Sequence, residues 1–581
     1  MAPRTRQSGQ SGPTTNRRGY LRSFATTLCG GGLASTLAER DLVRPVAAEE
    51  RSFDDGGGTR SLDAEPDVVF PQSVMSGGPT PTGALVWTRI APECYEETRP
   101  LGVAVAETAA FDSLVYQGTV AADAVSPGHD YTVTVDLDDH LDADRHYWYR
   151  FVYGGVTSKT GRLRTLPAPD QQVETLSLAV LSCQDYQNGY YPAYHHLARE
   201  DVDFVLHLGD FIYESANGAY TSPLTGIKPG RAFDLPSGAS LAETLDDFRY
   251  LYQTYKADSF LQETLERHTL IAGWDDHEIG NNRFWDAEAN APVLPAKDGG
   301  ADPAFAIEVT ANGIQAWVEH MPMRVEYDSS ASDLHEQFSL WREFVFGDLV
   351  DLVLTDERLY RDGPPCDDRR LTCRDEENPN RTMLGSEQKR RFKRYLDGSE
   401  ARWTVWANEV LTMPLTAGDG WNQVELFHDS WDGFQAERAE LMAAVQNADL
   451  RNFVTFTGDL HCAMAGYQRA GYGEVSWDFE RVGVELVTPA VSSINAADAL
   501  DFPGDWDGGR LAAAAKRDNE HIQYVDWYVH GYAIVEFSPE ECVYSVYGVD
   551  KDRNDPDATR RLAARYRVPD GEVRLNDVTP A

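Results

Sequence analysis

The order of apolar and polar residues divides the chain into two folded regions. Between residues 67 and 167, short runs of β-type alternation are separated by glycine-rich turns, examples being 84–88, 131–135 and 146–152. No helical periodicity of any length interrupts these runs. Alternation over short segments is typical of strands with one buried face, so we expect an N-terminal β-sandwich over 67–167.

After residue 172 the pattern changes to continuous apolar runs that alternate with helical segments. The apolar runs predict strands buried on both faces, at 176–183, 202–210, 269–276, 349–356, 402–408, 452–459 and 484–491. Helices are predicted at 193–199, 386–397 and 434–447, and surface insertions at 286–302 and 366–381. The alternation predicts an α/β or α+β domain over 172–560, followed by a C-terminal tail over 561–581.

Acidic residues dominate the composition. The chain has 581 residues, with 93 Asp and Glu against 52 Lys and Arg, a net charge of −41. Binding to nucleic acid through released counterions needs a basic surface, so no stable nucleic-acid complex is expected. At about 1 M salt the Debye length is about 3 Å, and the self-repulsion of such a chain is screened. The composition therefore predicts a haloadapted protein, with a mesophilic acidic secreted protein as the alternative.

The first residues differ in composition from the rest. Arg17 and Arg18 precede a small-residue stretch, 23–38, that contains no acidic residue. This resembles a twin-arginine export signal over 1–38, followed by an acidic flexible linker over 39–66. The alternative is a disordered basic tail. No run of about 20 apolar residues occurs, so no transmembrane segment is expected. We expect a protein that meets the twin-arginine export machinery and is secreted or held at the extracellular surface.

The cysteines do not form a disulfide framework. Seven cysteines are too few for a chain of this length. Cys366 and Cys373 flank a short loop and either pair or remain free. Because the number is odd, at least one thiol is expected to be free.

Four of the predicted strands end in groups that bind cations. These groups are Cys183, Asp210, the adjacent pair Asp275 and Asp276 followed by His277, and Asp459 with His461. The carboxyl ends of strands in an open sheet form its ligand crevice, so these side chains are expected to converge. Taken singly, each has a structural explanation as a turn residue, a packed thiol or a hydrogen-bonded pair. Burying adjacent carboxylates without a cation is costly, however, and the set together predicts a metal site.

The order and spacing of these motifs resemble the PhoD-like alkaline phosphatases, a branch of the calcineurin-like metallophosphoesterases. The motifs are Ser182-Cys183-Gln184, Gly209-Asp210-Phe211-Ile212-Tyr213-Glu214, Trp274-Asp275-Asp276-His277-Glu278 and Gly458-Asp459-Leu460-His461, with further matches at 70–90, 355–361, 384–388, 430–434 and 530–532. The resemblance spans about 67–550. It implies an α+β protein, with an all-β immunoglobulin- or fibronectin-like sandwich followed by a four-layer α/β/β/α metallophosphoesterase domain.

The resemblance also implies two cations, with Fe³⁺ and Ca²⁺ as the leading pair and other divalent metals as alternatives. Iron would be held by Cys183, Asp210, Tyr213 and His461, with Asp210 bridging the two cations. Calcium would be held by Asp276, Asp459 and Asn281. Asp276 and Asp459 replace nitrogen or amide ligands of the wider superfamily with carboxylates, which favours a hard cation.

Several residues near these motifs have two interpretations. Asp185 and Asp275 are expected to support the ligands. Glu409 either does the same or binds calcium. Asn281 either binds calcium or caps the following helix. Arg358 and Arg361 either bind phosphate oxygens bidentately or pair with carboxylates, which are abundant in this chain.

The activity that the resemblance implies is hydrolysis of small-molecule phosphate esters. A hydroxide held by the two metals would attack phosphorus, with Asp276 and His277 as catalytic residues. His277 would either hydrogen-bond the phosphate or protonate the leaving oxygen, and the alternative is a histidine that only orients the metal ligands. Inorganic phosphate would be released. One alternative is phosphodiesterase or phospholipase D-type cleavage of diesters. The other is a surface module that binds ions without catalysis.

Overall fold

The computed structural model describes residues 48–50, 62–368, 375–418, 424–450, 452–472, 480–500 and 508–580. All of these residues belong to one unit, Leu42–Ala581. The expected export signal, 1–38, lies outside the described residues. None of the helices in the described part of the chain is long and apolar enough to cross a membrane.

The helices of the described chain vary from one to five turns. In order they are α1 (Pro66–Val69), α2 (Pro192–Leu197), α3 (Leu245–Lys256), α4 (Ser259–Arg267), α5 (Pro303–His320), α6 (Leu334–Gln337), α7 (Gly385–Gly398), α8 (Gln435–Asn447), α9 (Ala496–Leu500) and α10 (Gly508–Asp518). Short 3₁₀ turns lie at Pro92–Cys94, Ala122–Ala124, Pro127–His129, Pro365–Asp368, Asp375–Glu377 and Trp431–Phe434.

The described strands form three large sheets and three two-stranded sheets. In order they are β1 (Glu49–Glu50), β2 (Val74–Thr80), β3 (Gly83–Arg89), β4 (Leu101–Ala106), β5 (Leu114–Val120), β6 (Thr132–Asp136), β7 (His146–Tyr153), β8 (Val156–Thr157), β9 (Gly161–Arg164), β10 (Leu176–Leu181), β11 (Phe204–His207), β12 (Leu270–Ala272), β13 (Phe284–Asp286), β14 (Ala291–Val293), β15 (Glu326–Tyr327), β16 (Phe338–Ser339), β17 (Arg342–Phe346), β18 (Val350–Leu354), β19 (Trp403–Asn408), β20 (Thr416–Ala417), β21 (Val424–Glu425), β22 (Phe453–Thr457), β23 (Ala463–Arg469), β24 (Arg481–Val487), β25 (Ile522–Asp526), β26 (Gly531–Phe537), β27 (Glu541–Val549), β28 (Arg560–Pro569) and β29 (Asn576–Asp577).

A ten-stranded mixed sheet runs in the order β29-β28-β27-β26-β10-β11-β12-β2-β3-β6. At its centre β10, β11 and β12 are parallel, so their carboxyl ends lie at one edge. On the other side of β10, β26 pairs in the antiparallel direction, with residues 176–180 opposite 533–537. Three of the four predicted cation-binding segments therefore leave the sheet side by side.

A seven-stranded sheet, β17-β18-β19-β22-β24-β23-β25, supplies the fourth segment. Strands β18, β19, β22 and β24 are parallel, and residues 458–461 follow β22. A parallel bridge between Ser182 and Ala490 joins the loops that follow β10 and β24. One hydrophobic core contains residues from both sheets, for example Val180, Leu352 and Val405. The segment after β22 is thereby brought to the edge where β10, β11 and β12 end.

The N-terminal region is less separate than the sequence suggested. Its outer sheet contains β1, β5, β4, β7, β8 and β9, whereas β2, β3 and β6 extend the ten-stranded sheet of the following region. The contact is close because Gly77 pairs with Leu270, and a Cβ added at Gly77 would lie 2.6 Å from the Pro322 carbonyl oxygen. Residues of both sheets share a second hydrophobic core. The two predicted domains thus share a sheet.

A buried polar network also joins these two regions. Arg89 donates to both oxygens of Asp130, at 2.9 and 2.7 Å. The same carboxylate accepts from Gln253 of α3 at 2.6 Å and lies 3.0 Å from His320 Nε2 at the end of α5. Although burial acts in the opposite direction, hydrogen bonds from His320 and Arg89 lower the pKa of Asp130.

All seven predicted strands and all three predicted helices of the second region are present. Six of the seven strands end two to four residues before the predicted end, because the residues that follow the apolar run turn into the loops, and β19 ends at the predicted residue, Asn408. Helices α3, α4 and α5 were not predicted. The predicted insertion 286–302 contains β14, and Asp302 caps the first turn of α5 by accepting from Ala304 and Phe305.

Both ends of the described chain are more ordered than expected. In the segment expected to be a linker, β1 pairs with β5 and α1 begins at Pro66. In the segment expected to be a tail, β28 pairs along β27 and β29 pairs with β28. The inward-facing residues Ala564, Tyr566 and Val568 are buried in alternation, which explains why β28 joins the sheet. Cys366 is disulfide-bonded, and Cys373 lies outside the described residues.

Candidate metal centre

Three groups of possible metal ligands meet at the edge where the parallel strands end. Within each group the ligand atoms lie within 4.8 Å of one another. The groups are Cys183 with Asp210 and His461, Asp210 with Asp276 and His277, and Asp276 with Asp429 and Asp459. Asp210 and Asp276 each belong to two groups, so the donors form one continuous cluster.

The first group combines sulfur, oxygen and nitrogen donors. The Tyr213 hydroxyl donates to Asp210 Oδ2 at 2.8 Å and lies 3.2 Å from His461 Nε2. Ser493 Oγ donates to the same hydroxyl at 2.7 Å, and the His461 Nδ1 atom lies 2.5 Å from the Ile494 carbonyl. These contacts fix the phenol and leave the imidazole Nε2 directed at the cluster.

The backbone around this group adopts conformations that side chains rarely take. Cys183, Asp210, Asp459 and His461 have φ of 59°, 56°, 57° and 56°. Left-handed backbone at several non-glycine residues is costly and concentrates at functional sites. It turns each side chain sharply out of its strand and towards the same point.

Burial makes the donors of this group hard to ionise without a cation. Burial, followed by the nearby Asp210 carboxylate, raises the pKa of both the Cys183 thiol and the Tyr213 phenol. Burial also lowers the pKa of His461 to about 4 and so keeps its imidazole neutral. A bound cation reverses this balance for the thiol and the phenol. Thiolate, phenolate, carboxylate and neutral imidazole are a donor set that fits a transition metal such as iron.

His277 is held at the middle of the cluster. Its Nδ1 lies 2.7 Å from Glu214 Oε2, and its ring stacks on Tyr213 with 4.1 Å between the ring centroids. Tyr220 contacts the ring edge-on and donates to Glu214 Oε1 at 2.8 Å. Although burial opposes it, the Glu214 carboxylate, aided by Asp210 and Asp276, raises the pKa of His277. His277 Nε2 is left 3.9 Å from Asp276 Oδ1.

The third group consists of carboxylates alone. Oxygen donors on Asp276, Asp429 and Asp459 suit a hard cation such as Ca²⁺. Burial raises the pKa of Asp459 to about 6. The Arg358 guanidinium, acting against burial, lowers the pKa of Asp276. This group fits the second cation by the chemistry of its donors.

The two arginines expected near the substrate pair with carboxylates, which was the alternative interpretation. The Arg358 side chain is fully buried and donates to Asp429 Oδ2 and Asp459 Oδ1, each at 2.7 Å, and to Asp275 Oδ1. Arg361 Nη2 lies 2.7 Å from Asp429 Oδ1, and its Nε donates to the Arg283 carbonyl at 2.8 Å. Both arginines organise the carboxylate group.

Asn281 is placed beside the cluster, with its backbone N–H donating to Glu214 Oε1 at 2.9 Å. It caps no helix, because a turn follows it and the next helix of the described chain begins at Pro303. The neighbouring Asn282 donates its backbone N–H to Asp276 Oδ2 at 2.7 Å. With its amide nitrogen turned to the carboxylates, Asn282 also donates to Asp276 Oδ2 and Asp429 Oδ2, each at 3.2 Å.

The three expected supporting residues lie outside the ligand groups. Asp275 accepts from Arg358, and its Oδ2 has no hydrogen-bond partner among the described residues. Asp185 accepts from the Gln187 backbone at 2.8 Å, and burial raises its pKa to about 6. Glu409 accepts from the Glu357 backbone at 2.5 Å, and burial together with the Glu357 charge raises its pKa.

Sequence reasoning missed residues that act from outside the strand ends. Asp429 directly precedes the Ser430–Phe434 match, which was the available signal for it. Glu278, which follows His277, accepts from the backbone N–H groups of Asp210, Phe211 and Asp275 at 3.0, 2.7 and 2.7 Å. One carboxylate therefore ties the loop after β11 to the loop after β12.

Comparisons with known proteins give one consistent result. The family model "PhoD-like phosphatase" matches residues 178–546, and its N-terminal domain model matches residues 58–167. The chain is 31% identical over 479 residues to alkaline phosphatase D of Bacillus subtilis (strain 168), covering 81% of this chain and 76% of that protein. A solved structure of PhoD superposes with a TM-score of 0.77 at 27% identity, covering 90% of this chain and 94% of the other.

Proposed function

The chain belongs to the PhoD-like phosphatase family and is a hydrolase of phosphoric ester bonds, and we propose that it is an exported alkaline phosphatase that uses two cations. The observation that carries the proposal is the unbroken cluster of donors in which Asp210 and Asp276 are each shared by two groups. Small-molecule phosphate esters are the substrates that the family implies.

The donors divide by chemistry between two cations. Iron as Fe³⁺ suits Cys183, Tyr213 and His461, and Ca²⁺ or another hard divalent cation suits Asp276, Asp429 and Asp459. Asp210 lies between the two sets and would bridge them. Asn281 and Glu409 remain candidates for calcium only through resemblance, since neither side chain has a described contact with the ligand groups.

The cations, when bound, would activate water as the nucleophile and neutralise charge on the phosphoryl oxygens. The chain's own contribution is proton transfer. Glu214 fixes the Nδ1 side of His277, and its charge raises the pKa of that imidazole. His277 is thereby kept protonated and able to donate from Nε2 to the leaving oxygen of the ester.

The layer order of the catalytic region is part of the proposal. The shared core between the ten-stranded and seven-stranded sheets supports two central layers. Helices α7 and α8 pack on the seven-stranded sheet through Phe392, Leu441 and Trp406, while α3 and α5 join the core of the ten-stranded sheet. These contacts support an α/β/β/α order. The shared core of the N-terminal region supports an immunoglobulin- or fibronectin-like sandwich.

Metal analysis of the purified protein tests the ligand assignment. We expect Cys183→Ala to lose iron and keep calcium, and Asp210→Asn to lose part of both. Cys542→Ala is the matched control, because Cys542 is also a free, buried cysteine but lies on β27. Metal content that is unchanged in both site variants would refute the centre.

The substrate class is tested with two synthetic esters. An aryl phosphomonoester and the corresponding bis-aryl diester are compared by kcat/KM with the same metal-loaded protein. We expect a higher kcat/KM for the monoester. A higher value for the diester would favour the phosphodiesterase alternative, and no hydrolysis of either ester would favour an ion-binding module.

Export and salt adaptation rest on the sequence alone. Arg17 and Arg18 support recognition by the twin-arginine machinery, and a net charge of −41 supports a high-salt environment. A variant with both arginines replaced by lysine is expected to remain inside the cell. Secretion of this variant at the level of the unaltered protein would contradict the proposal.

A further inference from the structure

A second concave site lies away from the metal centre, where the outer sheet of the N-terminal region meets α2 and α4. Its volume is about 330 Å³, and its polar and aromatic lining consists mainly of Trp148, Arg162, Arg199, Glu263, Glu266 and Arg267. Trp148 and Arg162 face each other across β7 and β9, whereas Arg267 is the last residue of α4. The pocket is thus formed jointly by the two regions of the protein.

The two acidic residues of this pocket already have cationic partners. Glu263 Oε2 accepts from Arg199 Nη1 at 2.8 Å and lies 2.9 Å from His195 Nδ1. Glu266 Oε1 accepts from Ser73 Oγ at 2.6 Å and lies 3.5 Å from Lys159 Nζ. Neither carboxylate therefore forms an ion pair with the two remaining arginines of the lining, Arg162 and Arg267.

Arg162 and Arg267 lack an acidic partner. Within the described ranges, neither guanidinium has a carboxylate at salt-bridge distance, although the chain has a large excess of acids. Arg162 is only 8% exposed, and its Nε donates to the Arg267 carbonyl at 3.0 Å. Other arginines of this chain, such as Arg89 with Asp130, form ion pairs. Asp201 and Asp203 oppose this positive charge from beyond salt-bridge distance, and Asp203 already pairs with Arg164 at 2.9 Å, so neither Arg162 nor Arg267 has a close ion pair.

Neighbouring cations act on the titratable groups beside this pocket. Burial, followed by the charge of Arg267, lowers the pKa of Arg162 to about 10. Burial and then the charges of Arg162, Arg164 and Arg267 lower the pKa of His146 to about 4. Repulsion between these cations is a free-energy cost that a bound anion would remove.

We propose that this pocket binds inorganic phosphate at a site separate from the metal centre. The N–H groups of two guanidinium groups match the oxygens of a tetrahedral dianion, and Trp148 supplies one wall. Inorganic phosphate is chosen among oxyanions because hydrolysis of phosphoric monoesters releases it beside the protein. Because Arg162 and Arg267 come from different regions, a bound phosphate would hold those regions together. None of the metal-ligand assignments enters this argument.

Equilibrium dialysis of the purified, metal-loaded full chain against radiolabelled inorganic phosphate tests the site. The double variant Arg162→Gln/Arg267→Gln is expected to bind one phosphate fewer per chain than the unaltered protein. Its kcat for an aryl phosphate should stay unchanged, because neither arginine touches the metal centre. A converse variant, Asp210→Asn, is expected to retain the phosphate of this pocket, so failure of the metal centre is distinguished from failure of the pocket.

The matched control is Arg390→Gln/Arg394→Gln, which removes the same charge from exposed positions of α7. An equal number of bound phosphates in the unaltered protein and the pocket variant would overturn the proposal, as would an equal loss in pocket and control variants.

Phenylphosphonate is used as a competitor to distinguish free phosphate from a phosphoryl group on a larger molecule. If phenylphosphonate displaces the radiolabelled phosphate at a lower concentration than unlabelled phosphate does, inorganic phosphate is overturned as the ligand. If phenylphosphonate displaces it only at a higher concentration, the result supports inorganic phosphate.

Discussion

His277 and Glu214 form a pair whose charge can be tested directly. Glu214→Gln removes the negative charge that raises the pKa of His277, while burial continues to lower it. Protonated His277 should then persist only to a lower pH, so the alkaline limb of the pH–kcat profile should move to lower pH. We expect kcat at the original optimum to fall about 10- to 100-fold.

The control for this prediction is Glu263→Gln, which breaks a similar contact with His195 on the surface. This control should leave the pH profile unaltered. A Glu214→Gln profile that is lower throughout but keeps the same pH dependence would show that Glu214 does not act through the protonation of His277.

Asp429 offers a test of the all-carboxylate group. Asp429→Asn removes one of three anionic donors and should reduce the bound divalent cation to well below one per chain, with iron unchanged. Activity should fall with the cation and recover partly when calcium is added in excess. Metal analysis and kinetics are measured on the same preparation. Glu425→Gln serves as the control, and equal calcium content in the two variants would exclude Asp429 as a ligand.

The difference between predicted and missed residues has a physical reason. Cys183, Asp210 and Asp459 each follow an apolar run, so the sequence shows both the strand and the polar residue that leaves it. Asp429 follows only the short, half-buried β21 and no apolar run, and the tertiary fold brings it to Asp276. Arg358 lies in a recognisable motif, but the choice between substrate and carboxylate depends on neighbours that are distant in the chain.

At the level of helices and strands, prediction depended on how each element is buried. The central strands are buried on both faces and produce continuous apolar runs. Helix α3 was missed because its polar positions are also buried, among them Asp247, Arg249 and Lys256. Strand β28 was missed because only one face is buried and arginines fill the other. Packing, rather than local pattern, fixes these elements.

The contact between the N-terminal region and helices α3 and α5 should depend on Asp130. Its folded-state pKa is lowered, so its contribution to stability is present above the pKa of an unfolded aspartate, about 3.9, and is lost as pH falls towards the folded-state value. Asp130→Asn should reduce the free energy of unfolding by about 3 kcal/mol at pH 7.

Urea unfolding of both proteins at several pH values measures this contribution. The difference in free energy between them should stay constant from pH 7 to about 5 and shrink below about pH 4. Asp123→Asn, at an exposed position of the same region, should have no effect at any of these pH values. A difference that grows on acidification would contradict the assigned network.

For the molecule as a whole, the net charge sets the response to salt. Self-repulsion from a charge of −41 opposes folding at low ionic strength and is screened as the Debye length falls to about 3 Å near 1 M. The midpoint of thermal unfolding should therefore rise steeply with KCl up to about 1 M. Thermal unfolding followed by circular dichroism in a series of KCl concentrations measures this rise. A matched series in sucrose, which does not screen charge, is the control. Equal midpoints at 0.1 and 2 M KCl would refute haloadaptation.

The division into two regions was partly visible in the sequence. The change of pattern lies near Pro167, and the two family models match residues 58–167 and 178–546. The shared sheet was not visible, because the pairing of β2 with β12 depends on one backbone contact at Gly77. Local patterns show where a region ends but not which edges of two regions join.

The pairing of β10 with β26 has a consequence for synthesis on the ribosome. Residues 176–180 emerge long before their partners at 533–537, and at about 5–20 residues per second the delay is about 20 to 70 s. During that interval one edge of a central, apolar strand is exposed to other nascent chains. Correct folding in the cell should therefore rely on chaperones that cover β10 until β26 has been synthesised.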